Sequence, residues 1–514
     1  MRVVKLMKLS MSVVAKNWKI KYRKPEPKNC IAMKVKILFG TFLFVSGILI
    51  SGVVYSAASS THQDPVAPVI LGVTGILFFA LIGRILARKF YQPTVLGELL
   101  MGVALGNIGY LLSLDFFEIL RVGPVLFTIT EQALAGAPVI ETTRNLLDAK
   151  TAAAVIEILQ GSTGPALFQV AHAIDVFSRY GVIFLLFLVG LETSTREMRE
   201  VGGDSIRVAL IGVIAPFILG FFTIWWLMPE LSFNVDLFIA ATLGATSIGI
   251  SARVLKELNL IKSKEARIIM GAAVFDDILG LIILAVITGI ILSGGLDLTN
   301  VLSIVLLSGL FLILAFGMGP YFLNLTISVV KRFNLGEAKL FIVFLFVMTL
   351  AWLANAVGLA TIIGAFAAGV ILNDGYFERL DTNEQKLRIK DLIAPLEAIL
   401  VPIFFVLMGV QVKLEMFMDS QVIYLTTGLL LAAIIGKIVS GIGARTKGNR
   451  LAIGFGMLPR GEVGLVFAAI GKSLNVINDA LFASVVLMVI ITTLLAPPLL
   501  RWNLMRQPLT QGVR

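Results

Sequence analysis

About fourteen apolar runs, each roughly 16 to 27 residues long and separated by polar links, govern what this chain of 514 residues can fold into. They begin near Ile37, Pro68, Pro93, Tyr180, Ile206, Leu237, Ala266, Val301, Ala338, Leu359, Leu396, Ile423, Leu451 and Ala480. Crossing a hydrocarbon layer of about 30 Å takes about 20 helical residues, and only helices or closed barrels satisfy their own backbone polar groups inside it. Runs of this length select helices, so the expectation is an all-α polytopic membrane protein. A charged fraction of 15%, against about 25% in soluble domains, agrees.

The net charge of +11 raises the question of nucleic acid, and the distribution of charge answers it. Most Lys and Arg fall in the N-terminal tail or in alternate links, such as Arg84, Arg88 and Lys89, or Arg253, Lys256, Lys262, Lys264 and Arg267. Such alternation is the positive-inside pattern, and it places both termini in the cytoplasm unless the N-terminal segment is cleaved. The basic balance therefore reflects insertion and contact with anionic membrane lipid, with no nucleic-acid partner, and the expected location is a bacterial inner membrane. The run Ile37 to Ala57 follows a Lys-rich stretch and ends in SAASS, which suits a signal peptide or a retained extra helix.

Soluble-enzyme chemistry finds little here. The one cysteine, Cys30, lies in the basic tail, so no disulfide or thiolate metal site forms within a chain. His62 and His172 lie outside the apolar runs. No GxGxxG followed by an acid is present, and no cofactor is expected.

Two pairs of segments recur in the same order. LGELLMGVALGN (96–107) resembles IGAFAAGVILND (363–374), aligning Gly97 with Gly364 and Gly102 with Gly369; LFLVGLE (186–192) resembles FVLMGVQ (405–411). The expected organisation is a first six-helix repeat over 68–300, a linking helix over 301–337 and a second six-helix repeat over 338–502. Residues 1–67 precede this 6+1+6 core with the extra hydrophobic segment, and 503–514 form a cytoplasmic tail. An odd number of intervening spans turns the second repeat upside down, as in many secondary transporters. A segment of mixed polarity, 114–178, interrupts the first repeat; its stretch EQALAGAPVIETTRNLL reads as a short interfacial helix, and the segment as an extracytoplasmic insert packed over the dimer or the outer face, or as an acidic vestibule that concentrates cations.

Within GAAVFDDILGLII (271–283) two carboxylates, Asp276 and Asp277, sit about eleven residues from the inner end of their run, or ~16 Å at helical rise. Each costs ~2.5 to 3.5 kcal/mol to insert, while the Ile, Leu, Val and Phe of the run return roughly 5 to 9 in total. The helix inserts with little to spare. A carboxylate in such a place holds a proton or a metal ion but not both, which is the simplest physical device for exchange. Lys437, in LLLAAIIGKIVSGIG, has no local counter-charge, and pairing with Asp276 accounts for it.

ATLGATSIGIS (241–251) and GFGMLPRGEVG (454–464) are rich in glycine, the second with Pro459, and read as discontinuous helices at equivalent positions of the two repeats, crossing at the midplane. Their broken ends offer carbonyls to a cation, with Thr246 and Ser247 as further oxygen ligands. Arg460 with Glu462, and with Glu192, reads as a structural ion pair. Hard oxygen donors suit an alkali cation, with sodium the natural choice and lithium or potassium open.

QPTVLGELLMGVALG, GVIFLLFLVGLET, ATSIGISARVL, AAVFDDILGLI, GLATIIGAFAAGVIL and LPRGEVGLVFA together resemble the monovalent cation:proton antiporters, in the branch of Kef-type and Nap-type sodium/proton exchangers, over about Pro68 to Arg501. The resemblance implies a thirteen-helix homodimer in which a core domain carries ions past a dimerisation domain in an elevator-like movement. It makes Asp277 the main carrier of cation and proton and Asp276 the second carboxylate, paired with Lys437. It also implies electrogenic exchange of sodium (or lithium) for protons. Kef-like members have a glutamine at the first position and a nucleotide-binding domain, and this sequence departs from both. Potassium/proton antiport is the nearest alternative. A channel or sensor on the same fold and an intramembrane aspartyl protease are the remote ones.

Overall fold

The computed structural model describes residues 64–505, apart from stretches at 193–201, 293–297, 331–337, 378–387 and 446–448, scattered positions between 124 and 148, and single residues elsewhere. The basic tail with Cys30, the segment 37–57, His62 and residues 506–514 lie outside the described residues. Every regular element among the described residues is helical, and ten helices are long and apolar enough to cross a membrane. The chain is an integral membrane protein.

In chain order the helices are α1 (Ala67–Lys89), α2 (Thr94–Leu111), α3 (Asp115–Val122), α4 (Val139–Leu146), α5 (Ala149–Gln160), α6 (Gly164–Glu192), α7 (Gly203–Leu227), α8 (Phe233–Thr242) and α9 (Ile248–Glu257). They continue as α10 (Lys264–Leu292), α11 (Leu298–Val330), α12 (Ala338–Ala356), α13 (Thr361–Ile371), α14 (Ile389–Val410), α15 (Ser420–Ser440), α16 (Arg450–Gly456), α17 (Gly461–Ser473) and α18 (Asp479–Met505). Two groups emerge from the packing. One bundle joins α1 to α2, α2 to α14, α14 to α6, α6 to α13, and α13 to α12 and α11; the other joins α7 to α15, α8 and α10, and α15 and α17 to α18. Large apolar side chains such as Phe222, Trp225 and Trp226 on α7 and Ile313, Tyr321 and Phe322 on α11 point outward, as lipid-facing surfaces require.

The glycines aligned in the sequence sit at backbone-to-backbone contacts. A Cβ on Gly102 would lie 2.1 Å from the Val406 carbonyl oxygen, and one on Gly409 2.1 Å from that of Leu99, so α2 and α14 touch through these two residues. Gly369 and Gly190 do the same for α13 and α6, at 2.1 Å from the Phe187 oxygen and 2.3 Å from that of Phe366. Gly97 meets α1 at the Gly83 oxygen (2.1 Å), and Gly364 meets α12 at the Leu350 oxygen (2.0 Å). Without a hydrophobic drive between helices in lipid, such close approach is a main source of their association. Gly409→Ala and Gly369→Ala are each expected to cost about 1–3 kcal/mol or more by overpacking. Gly317→Ala on α11, where a Cβ meets nothing within 4 Å, serves as control. Thermal unfolding in detergent checks this: a midpoint for either crowded variant equal to that of the control refutes the reading.

The insert departs from the sequence boundary. Helix α6 begins at Gly164, well before Tyr180, because its first turns are amphipathic, with Arg179 and Asp175 paired at i,i+4 (2.6 Å), and escape a purely apolar pattern. His172 consequently lies in this helix. Ahead of it α3, α4 and α5 form short helices. Ile119, Leu120, Val122, Val155 and Ile158 share a cluster with Ile174 of α6 and Val406 and Val410 of α14, so the insert caps the first bundle.

Candidate functional site

The second bundle contains both interrupted helices. After α8 the chain turns at Leu243 and Gly244 and runs without helical hydrogen bonding to Ser247 before α9 starts. Between α16 and α17 the break spans Met457 to Arg460, where Pro459 has no N–H to give and disfavours helical backbone at Leu458. Gly461 then takes φ +42°, and a Cβ there would lie 2.5 Å from that of Ser247, so both backbone and space demand glycine.

The two breaks are stitched to each other. The Ser247 N–H donates to the Pro459 carbonyl (2.8 Å), the Thr246 hydroxyl to that of Met457 (3.3 Å), and the Ser251 hydroxyl to that of Gly456 (2.6 Å). Arg460, fully buried, returns the contact with Nη1 on the Ala245 carbonyl (2.9 Å). Backbone groups released by the breaks are thus satisfied away from water.

Helix α10 brings the carboxylates to this crossing. Asp276 Oδ1 accepts a hydrogen bond from Lys437 Nζ of α15 at 2.9 Å, and both side chains are 0% exposed. The same ammonium donates to the Gly244 carbonyl at 2.6 Å, so one lysine ties a carboxylate to an interrupted helix. Asp277, the next residue, is 5% exposed. Of the residues singled out from sequence, Asp276, Lys437, Thr246, Ser247 and Arg460 are thereby linked through the breaks. Arg460 makes its described hydrogen bonds to main-chain carbonyls; Glu462 lies in the first turn of α17 and Glu192 ends α6, and the side chains of both lie outside what the structure describes.

A cavity of about 280 Å³ separates the two bundles. Pro93, just before α2, then Thr94, Val95, Leu96 and Leu99 of α2 and Leu185 of α6 line one wall; Ile250, Leu465, Val489 and Ile490 line the other, with Ser247, Gly461 and Thr493 at the crossing. Among the described residues no cluster of three or more His, Cys, Asp or Glu could hold a metal ion. The arrangement instead offers two buried carboxylates beside two buried cations, Lys437 and Arg460, and hard carboxylate oxygens of this kind suit a weakly held monovalent ion.

Several buried groups escaped the sequence reading. Glu98, fully buried on α2, pairs with Arg84 of α1, and its only signal was a lone acid in LGELL. Asp236, in the first turn of α8, is also buried. A third group lies around Arg121, Lys413, Glu415, Lys472 and Asp479, residues dispersed over the sequence.

Residues 75–506 match the family model described as sodium/hydrogen exchanger, transmembrane. The chain is 33% identical over 449 residues to the high-affinity Na(+)/H(+) antiporter NhaS3 of Synechocystis sp., covering 85% of this chain and 89% of the relative. It is 30% identical to a Na(+)/H(+) antiporter of Enterococcus hirae (68% of this chain, 89% of the relative) and 31% identical to the Na(+)/H(+)-K(+) antiporter GerN of Bacillus cereus (66% and 86%). The sodium proton antiporter MjNhaP1 of Methanocaldococcus jannaschii shares the fold, with a TM-score of 0.56 at 16% identity over 86% of this chain and 99% of that one. A protease reading falls with these matches. With its buried carboxylates, interrupted helices and two bundles, the chain belongs to the transmembrane sodium/hydrogen exchanger family and is a transporter, not an enzyme.

Proposed function

We infer that this protein exchanges sodium, or lithium, for protons across a membrane, with the two ions competing for Asp277 and Asp276. The observation that carries the reading is the Asp276–Lys437 pair, wholly buried and joined to Gly244 at the interrupted helix, with Asp277 beside it. A cation arriving at Asp277 displaces its proton and draws on the field that holds Lys437. If Lys437 also gives up a proton, more than one moves per cation, and exchange is electrogenic. The named activities of the relatives from Synechocystis and Enterococcus hirae point the same way.

The thirteen-span, inverted-repeat organisation is supported by equivalent packing. Helices α1 and α2 meet through Gly97 as α12 and α13 meet through Gly364, and the Gly102–Gly409 contact has its counterpart in Gly369–Gly190. In this reading the first bundle is the dimerisation scaffold of a homodimer, and the second rises and falls against it. The cavity reaches from Pro93 and Thr94, next to the basic link with Arg88 and Lys89, to the crossing, which in this reading supports a conformation facing the cytoplasm.

Purified protein in liposomes holding a pH-sensitive dye tests this. With a proton gradient imposed, external NaCl is expected to shift lumenal pH with saturable dependence. KCl at equal strength is the second arm, because the name of GerN includes potassium. A response to KCl alone replaces sodium with potassium; no response to either sinks the exchange reading.

A further inference from the structure

The chain passes between the two bundles at three places, and two of them, 193–201 and 293–297, lie outside the described residues. The third is the short segment from Gln411 to Asp419 joining α14 to α15. Its successive residues are tied to opposite bundles. Lys413 pairs with Asp479, the first residue of α18, and Lys472 Nζ at the end of α17 lies 3.0 Å from the other oxygen of that carboxylate. The Leu414 N–H donates to Asn107 Oδ1 of α2 at 3.0 Å, and Glu415 accepts from Arg121 Nη2 of α3 at 2.6 Å. Arg121 and Lys472 are both 3% exposed, and each also stands over a ring, Tyr110 and Phe482 respectively.

Position gives these pairs a meaning. Asn107 is thirteen residues beyond Thr94 on α2, about 20 Å at helical rise. The cavity between the bundles begins at Thr94, while the ion pairs join the bundles at the far end of the same helix. In an alternating-access carrier the end closed in one conformation must open in the other, and a closed end held by directional charge pairs resists that opening until they part. We propose that Arg121–Glu415 and Lys413–Asp479–Lys472, acting through the segment Gln411–Asp419, form a latch that holds the far end closed in the conformation seen here. These are positioning residues: they set which side the carboxylates face and do not touch the ion. The latch rests on the alternating-access reading above and assigns one of its two states a specific fastening.

The test uses a cysteine at Val95 in the cavity wall, in a Cys30→Ser background that removes the one native thiol, and follows its modification by a membrane-impermeant maleimide. Asp479→Asn and Glu415→Gln change charge but hardly volume. Each is expected to slow labelling about three- to tenfold and to raise half-saturating sodium on the cavity side by the same factor, since apparent affinity scales with the competent fraction. The exchanged pair Arg121→Glu with Glu415→Arg is expected to return labelling to within about twofold of the parent, as a mutual contact requires. Labelling unchanged in both single variants, or a swap that fails to restore it, overturns the latch. Labelling needs no transported ion, so failure of the exchange reading shows separately, as a flat pH-dye signal in the parent.

Discussion

Asp277→Asn is expected to reduce sodium-driven proton flux to the leak of empty liposomes. A carboxylate about 4 Å from a monovalent cation contributes about 4 kcal/mol at an effective dielectric constant of 20, so removing its charge lowers affinity roughly a thousandfold. The amide also has no proton to surrender, so both halves of the cycle fail together. Because Asn matches Asp in volume, the protein is expected to reach the membrane in wild-type amounts and to unfold at the wild-type temperature. Flux in the pH-dye assay at more than a few per cent of wild type would move the carrier role elsewhere, Asp276 being the first place to look.

Lys437→Ala is expected to act on the fold as well as on transport. It leaves Asp276, 0% exposed, without its cation, and it orphans the Gly244 carbonyl. Removing one partner of a buried ion pair costs about 3–5 kcal/mol, whereas removing both charges together is often close to neutral. Lys437→Ala should therefore lower the unfolding midpoint in detergent by several degrees, and Asp276→Asn with Lys437→Met should recover most of the loss. The cycle of single and double variants isolates the coupling. A midpoint for Lys437→Ala equal to wild type would mean that the carboxylate is neutral, or solvated, in the folded protein.

Much of the structure was legible from residue pattern. Run length and the alternation of basic links announced a helical membrane protein, because a bilayer leaves the backbone few alternatives. The aligned glycines were visible because close approach tolerates no other side chain, and Pro459 marked one interruption by its missing N–H. Lys437 stood out because an unmatched cation in an apolar run needs a partner. What remained hidden depends on sequence separation. Arg121 reads as an ordinary charge in a polar insert, and only folding brings it across 294 residues to Glu415. Glu98 looked like any acid near a helix end, since Arg84 belongs to another element. The start of α6 was misplaced because an amphipathic extension lacks the hydropathy of a span.

In the elevator-like movement proposed above, one bundle would travel past the other along the cavity walls. Val95, Leu96, Leu99 and Leu185 face Ile250, Leu465, Val489 and Ile490, a surface almost wholly aliphatic. Attraction between such groups is non-directional, so sliding trades one apolar contact for another without any bond having to break midway. Behind one wall, the backbone contacts at Gly102 and Gly409 leave no loose side chains to deform. In the proposed movement a stiff, greased face of this kind would behave as a plain bearing, with little friction and no preferred stopping point, and the positions at which the carrier pauses would be set by polar contacts at its two ends.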